Sequence, residues 1–90
     1  MPTVDCPHPG TVLRFKLEEL KMSQRKLAVQ MKRPYQAINE IIRGGKSITA
    51  DTALQLEEAL NISAIYWLNL QTDYDLMIAR NLRSKEGCDV

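Results

Sequence analysis

Apolar residues recur along most of this chain at separations of three and four, the spacing that lines one face of an α-helix, and strand-like alternation is nowhere sustained. The first run follows "HPG": Pro9 suits an opening turn, where a missing N–H costs nothing, and Val12, Leu13, Leu17 and Leu20 form the stripe. Ser23 reads as the N-cap of a short second helix that turns Leu27, Ala28 and Met31 inward. Pro34 opens a third helix in its first turn, with Ala37, Ile38, Ile41 and Ile42 facing the core, and Gly44 and Gly45 end it by admitting left-handed backbone. Thr49 caps a fourth helix, where Asp51 suits the positive end and Ala53, Leu56, Ala59 and Leu60 form the buried stripe; Asn61 is a left-handed C-cap. Ser63 then caps the fifth and longest helix, in which Ile65, Leu68, Leu70, Tyr74, Met77 and Ile78 give a broad apolar surface continuing to Leu82.

Five short helices with tight connections define an all-α domain. Ninety residues at 44% hydrophobic content support one modest core and no second one. The expected organisation is a short flexible N-terminal segment over 1–7, the domain over 8–82 and a short tail over 83–90. No run of about 18 apolar residues is present for a membrane span, and the start "MPTVDCPHPG" has neither the basic nor the apolar region of a signal peptide, so a cytoplasmic location is expected. Cys6 and Cys88 are then free thiols, and together with His8 they lack the ligand number and paired spacing of a metal site. Neither a metal, a cofactor nor a small-molecule ligand is expected.

Charge changes the picture. From Lys21 to Lys46 the chain carries seven cationic side chains against Glu40 alone, whereas from Asp51 to Asp75 it carries five carboxylates and no Lys or Arg. A balanced chain with a basic middle points to a polyanionic partner on one face. The basic stretch holds two consecutive short helices, Ser23 to Met31 and Pro34 to Arg43, joined by a few residues in the layout of a helix-turn-helix, whose second helix lies in the major groove. With its isoleucines turned inward, that second helix leaves Tyr35, Gln36, Asn39 and Arg43 along the opposite side. Amides pair in bidentate fashion with adenine N6 and N7, and arginine does so with guanine or holds a phosphate. Arg25 and Lys26 in the first turn of the preceding helix sit unfavourably beside its positive dipole end unless an anion is present; a DNA phosphate there, with Ser23, Gln24 and the free N–H groups, supplies one. Lys46 on the loop leaving the reading helix is placed for another phosphate. It is not the lysine of a nucleotide-binding loop, because "RGGKSIT" follows a helix and lacks the glycine spacing.

The segments "HPGTVL", "SQRKLA", "INEIIRG", "ITADTALQL" and "YWLNLQTDYDLMIA", in that order from about His8 to Arg80, resemble the HigA antitoxins, also called VapI or plasmid-maintenance antidote proteins, within the Xre and lambda-repressor-like superfamily. The resemblance implies a five-helix lambda-repressor-like fold with the helix-turn-helix in helices 2 and 3. It implies a homodimer that binds operator DNA to repress its own operon and neutralises a HigB toxin, an mRNA-cleaving ribonuclease of the RelE class. By position, Gln24 matches the family's phosphate-contacting glutamine, Tyr35, Gln36 and Asn39 fall at base-facing places, and Ala28, Ile38 and Ile41 match packing positions that set the angle between the two helices. Relatives usually have glycine and a small aliphatic residue where this chain has Lys32 and Arg33, and often glycine at Lys21 and Asn61. A lysine in left-handed backbone costs about 1 kcal/mol. Arg33 fits a half-buried slot if its stem covers apolar surface while its head reaches a phosphate.

The adjacent rings of Tyr66 and Trp67 read as core on one side and dimer contact on the other, in preference to a ligand-binding pair. With Leu70 and Tyr74 they form the expected dimer interface on the last helix, presenting two reading helices about 34 Å apart to successive major grooves. Glu18 with Glu19 and Glu57 with Glu58 read as solvated faces. His8 is the only histidine and no nucleophile-and-base arrangement assembles around it, so an enzyme is not expected. No long tail to wrap a toxin is expected, and that contact is then expected from the folded surface and the short N-terminal segment. Two other readings stay open: an orphan Xre-type regulator without a toxin, and a protein-binding module that has lost DNA, against which the basic middle and the intact amide row argue.

Overall fold

The computed structural model describes residues 6–85 and contains five helices and no strand among them. They are α1 (Pro9–Leu20), α2 (Gln24–Met31), α3 (Tyr35–Ile42), α4 (Ala50–Leu60) and α5 (Ala64–Lys85). Cys88 lies outside the described residues. The last helix continues past the expected domain end at residue 82.

Every helix but α3, whose N-cap Pro34 makes no side-chain cap bond, starts where a side chain satisfies one of its first N–H groups. His8 Nδ1 accepts from Gly10 N at 2.9 Å, Ser23 Oγ from Lys26 N at 3.0 Å and Thr49 Oγ1 from Thr52 N at 3.3 Å. Burial of His8 lowers its pKa, against an opposing effect of Asp75, and this favours the neutral imidazole that can accept at Nδ1. Pro34 stands one place earlier than expected, as an extended N-cap rather than inside the helix. Ser63 Oγ accepts from Ile65 N at 3.2 Å, and the start of α5 has a second partner: Glu57 Oε1 accepts from Ala64 N at 2.9 Å. Glu57 is therefore not merely a solvated side chain. Its carboxylate complements the positive end of α5 from α4.

The helix ends use left-handed residues. Lys21 (φ 55°), Lys32 (φ 56°) and Asn61 (φ 62°) all take that conformation. After Lys21 and Lys32 the chain turns back, with Met22 N donating to Leu17 O at 2.9 Å and Arg33 N to Ala28 O at 3.0 Å. These bonds satisfy end carbonyls and offset the strain of a lysine where glycine would be relaxed. At the end of α3 only Gly44 (φ 86°) needs its glycine for this purpose.

The core joins Leu13 and Leu17 of α1, Leu27, Ala28 and Met31 of α2, Ile38 and Ile41 of α3, Ala53, Leu56 and Leu60 of α4, and Ala64 and Trp67 of α5. Ile48, on the loop after α3, joins it too. Burying one such leucine or isoleucine stabilises the fold by about 1.5–3 kcal/mol. Not every expected stripe residue is inside: Leu20 is exposed, and Ile65 is 63% exposed on the outer side of α5. α5 is about 33 Å long, and only its first turns meet the core. Ile78 and Leu82, one helical turn apart, remain 39% and 56% exposed.

Gly10 decides how close two helices come. A Cβ there would lie 1.9 Å from the carbonyl oxygen of Ile41, so the first turn of α1 rests directly on the backbone that ends α3.

Candidate nucleic-acid interface

α2 and α3 meet through their polar as well as their apolar sides. Asn39 Nδ2 donates to Gln24 Oε1 at 3.1 Å, and Arg43 Nη1 donates to Asn39 Oδ1 at 3.4 Å. This chain of bonds ties the start of α2 to the middle and end of α3. Because Gln24 spends its oxygen on Asn39, its amide N–H groups are left to donate outward, as a phosphate oxygen requires. Ser23 likewise accepts the cap bond and keeps its own O–H. The Arg25 guanidinium lies 4.6 Å from the centroid of the Tyr35 ring, a cation–π contact worth about 0.5–1 kcal/mol at an exposed site. One face of Tyr35 is thus covered by Arg25. Gln36 and Arg43 stand exposed between these groups and the loop beyond α3.

That loop is fixed from behind. Gln71 on α5, only 6% exposed, accepts from Ile48 N at 2.7 Å and donates to Asp75 Oδ1 at 2.9 Å. Lys46, at its exposed crest, has Nζ 3.6 Å from Glu40 Oε1. Nothing in the sequence pattern marks Gln71, because its partner is 23 residues away and is a backbone group. Gln71→Leu keeps the volume but strands the Ile48 N–H in the core, so a loss of about 1–3 kcal/mol is expected by urea denaturation.

Arg33 behaves differently from expectation. Its Nε donates to Gln55 Oε1 at 2.5 Å and its Nη2 to Asp51 Oδ2 at 3.2 Å, both on α4. The side chain lies in the groove between the turn and α4, where a carboxylate and an amide meet it, so the guanidinium is turned to protein rather than held out for a phosphate. The half-exposed ion pair contributes about 0.2–1 kcal/mol. Arg33→Val is accordingly expected to shift stability by less than about 1 kcal/mol and to leave the salt dependence of DNA binding unchanged; a salt slope smaller by about one would return Arg33 to the phosphate contacts.

The aromatic pair on α5 divides. Trp67 is fully buried in the core and offers no surface to a second copy, whereas Tyr66, edge-on to it at 5.4 Å between ring centroids, is exposed. Leu70 is half-buried against the core, and Tyr74 is half-buried with its ring edge-on to His8 at 4.8 Å. Beyond Ile65 and Tyr66, the large apolar side chains that α5 leaves exposed among the described residues are Leu76, Ile78 and Leu82, further along than the interface residues expected from the sequence.

A short helix packed across the start of a second, with an exposed polar row bracketed by cationic groups, is the geometry of a helix-turn-helix DNA-binding domain. The helix-turn-helix family profile matches residues 13–67. Virulence-associated protein I of Dichelobacter nodosus is 44% identical over 80% of this chain and 68% of its own length. An addiction module antidote protein of the HigA family from Coxiella burnetii superposes with a TM-score of 0.86 at 38% identity, over 92% of this chain and 91% of that one. The Pseudomonas aeruginosa antitoxin HigA, solved with the higBA promoter, does so with a TM-score of 0.84 at 35% identity, over 91% of this chain and 90% of that one. The chain belongs to the HigA/VapI antitoxins of the Xre-type helix-turn-helix family. Among the described residues no helix is long and apolar enough to cross a membrane, and no group of His, Cys, Asp or Glu side chains is arranged to hold a metal ion.

Proposed function

We propose that this protein is the antitoxin of a type II toxin–antitoxin pair: as a homodimer it binds operator DNA and represses its own operon, and it neutralises a HigB-like mRNA-cleaving toxin. The observation that carries the DNA half is the chain of hydrogen bonds from Gln24 through Asn39 to Arg43, beside the exposed Gln36. It holds two helices and a row of polar groups in one arrangement before DNA arrives, which lowers the ordering cost of binding. In this reading Gln36 and Asn39 read base edges, with Tyr35 at the rim. Ser23, Gln24, Arg25, Arg43 and Lys46 hold phosphates on either side.

The dimer forms through α5, using Tyr66, Tyr74 and the row Ile78 and Leu82 that this chain leaves uncovered. Leu70 supports that surface from the core side and Trp67 anchors the helix that carries it. The promoter bound to the Pseudomonas aeruginosa relative supports the operator as partner, and the family supports the toxin. An orphan regulator would share every DNA-side feature and differ only in lacking the toxin.

The test is binding to the protein's own upstream DNA against random duplex, with light scattering to size the free protein and the complex. A dimer with clear preference for the upstream segment is expected. A monomer that binds both duplexes equally would contradict the operator reading.

A further inference from the structure

Glu40 shares the exposed side of α3 with Gln36 and Arg43, yet none of the contacts assigned above uses it as a reader. At about 100° per residue, Gln36 and Arg43 fall within about 20° of one another, opposite Ile38 and Ile41. Asn39 lies about 60° to one side of Gln36 and Glu40 about 40° to the other. The Asn39 side is closed toward α2 by the bond to Gln24. The Glu40 side opens toward the loop that carries Lys46, whose ammonium lies 3.6 Å from Glu40 Oε1, with the glutamate side chain still 50% exposed.

A bare carboxylate in a groove walled by phosphates would be repelled from both strands. Paired with Lys46 it enters as part of a locally neutral unit, with Lys46 able to reach a phosphate while steadying the carboxylate, and Oε2 remains to accept. A carboxylate only accepts, so it discriminates among bases by their donors. On the major-groove edge guanine shows the acceptors N7 and O6, thymine shows O4 and a methyl group, and adenine sets its amine beside the acceptor N7. Cytosine alone presents an N4 amine with no acceptor next to it on the same base.

We propose that Glu40 is a specificity-determining residue that accepts a hydrogen bond from the N4 amine of one cytosine in each operator half-site, steadied there by Lys46. The inference rests on the operator-binding reading and goes beyond it by naming a base. Glu40, a negative charge on the reading face, then selects rather than merely weakens: it rejects sites that present only acceptors at that step.

The test uses the full chain, its upstream DNA and duplexes in which each base pair of a half-site is changed in turn, with random duplex as reference. Wild type is expected to lose about tenfold in affinity when one particular C·G pair becomes any other pair. Glu40→Ala is expected to bind all four versions of that pair within about twofold while keeping the wild-type preferences elsewhere. Glu40→Gln, whose amide can donate as well as accept, is expected to tolerate adenine there. Circular dichroism melting checks that both variants stay folded. If Glu40→Ala keeps every preference and gains the same factor on cognate and random DNA, Glu40 acts by charge repulsion alone and the proposal is overturned. A wild type with no preference for its upstream DNA would fail at the earlier step, taking the operator reading down with the base assignment.

Discussion

Gly10→Ala is expected to be the most damaging single-methyl change in the domain. The new Cβ would fall 1.9 Å from the Ile41 carbonyl oxygen, with Ile41 C at 2.8 Å and Ile42 Cα at 2.9 Å. All three are backbone atoms at the end of α3, so no side chain can rotate away to make room. Either α1 withdraws from α3, opening the core around Leu13 and Ile38, or α3 tilts and carries Gln36 and Arg43 with it. Overpacking of this kind costs about 3 kcal/mol, a large share of the 5–15 kcal/mol or so that holds a small domain together. The gain in helix propensity, about 1 kcal/mol, offsets only part of it. The check is the urea midpoint at unchanged slope, and a variant within about 0.5 kcal/mol of wild type would show that the close approach is not tight.

Gln36→Ala is expected to have the largest effect on DNA recognition with the fold left intact. The residue is exposed and, by helical spacing, stands between Asn39 and Glu40 on the outer side of α3. Its removal should cost about 1–3 kcal/mol on the cognate site and little on random duplex. Lys46→Ala should weaken both and reduce the salt slope by about one, because a phosphate contact is blind to sequence and releases a counterion. Loss of Lys46 also frees the Glu40 carboxylate from its partner, so this variant should lose somewhat more than one phosphate contact alone. Competition assays on paired cognate and random duplexes over a range of salt separate these outcomes, and equal losses on both duplexes for Gln36→Ala would mean that it reads no base.

What was legible in the sequence is local. Ser23, Thr49, Asn61 and the inward faces of α2, α3 and α4 follow from caps and periodicity that act within a few residues, and the structure has them where the pattern does. The misses share a cause: they are partners brought together only when helices dock. Glu57 looked solvated because nothing nearby needs it, yet it satisfies the start of α5. Gln71 and Ile48, and Arg33 with Asp51 and Gln55, pair across 18 to 23 residues. The long apolar surface of α5 shows the other limit of periodicity. Its spacing is helical throughout, but burial depends on how far the other helices reach, and they cover little beyond the first half. Ile78 and Leu82 then stand exposed at the far end of the broad apolar surface that periodicity gives α5.

At the reading face, the sequence supplied the row and the structure supplied its wiring. Periodicity alone put Gln36, Asn39 and Arg43 on one side. It did not show that Asn39 is held by Gln24, that Arg25 covers Tyr35, or that Glu40 is coupled to Lys46. Glu40 was visible only as the single negative charge in a basic stretch, and its position toward Lys46 turns that exception into a candidate base reader.

The most direct test of the central claim is co-expression with the product of the adjacent small reading frame, followed by an mRNA-cleavage assay of that product alone and with this protein added. The account predicts a stable complex and cleavage by the isolated partner that stops at stoichiometric addition. Cleavage that continues in the presence of excess folded protein, or the absence of any complex while binding to the upstream DNA remains specific, would contradict the antitoxin reading and leave a regulator without a toxin.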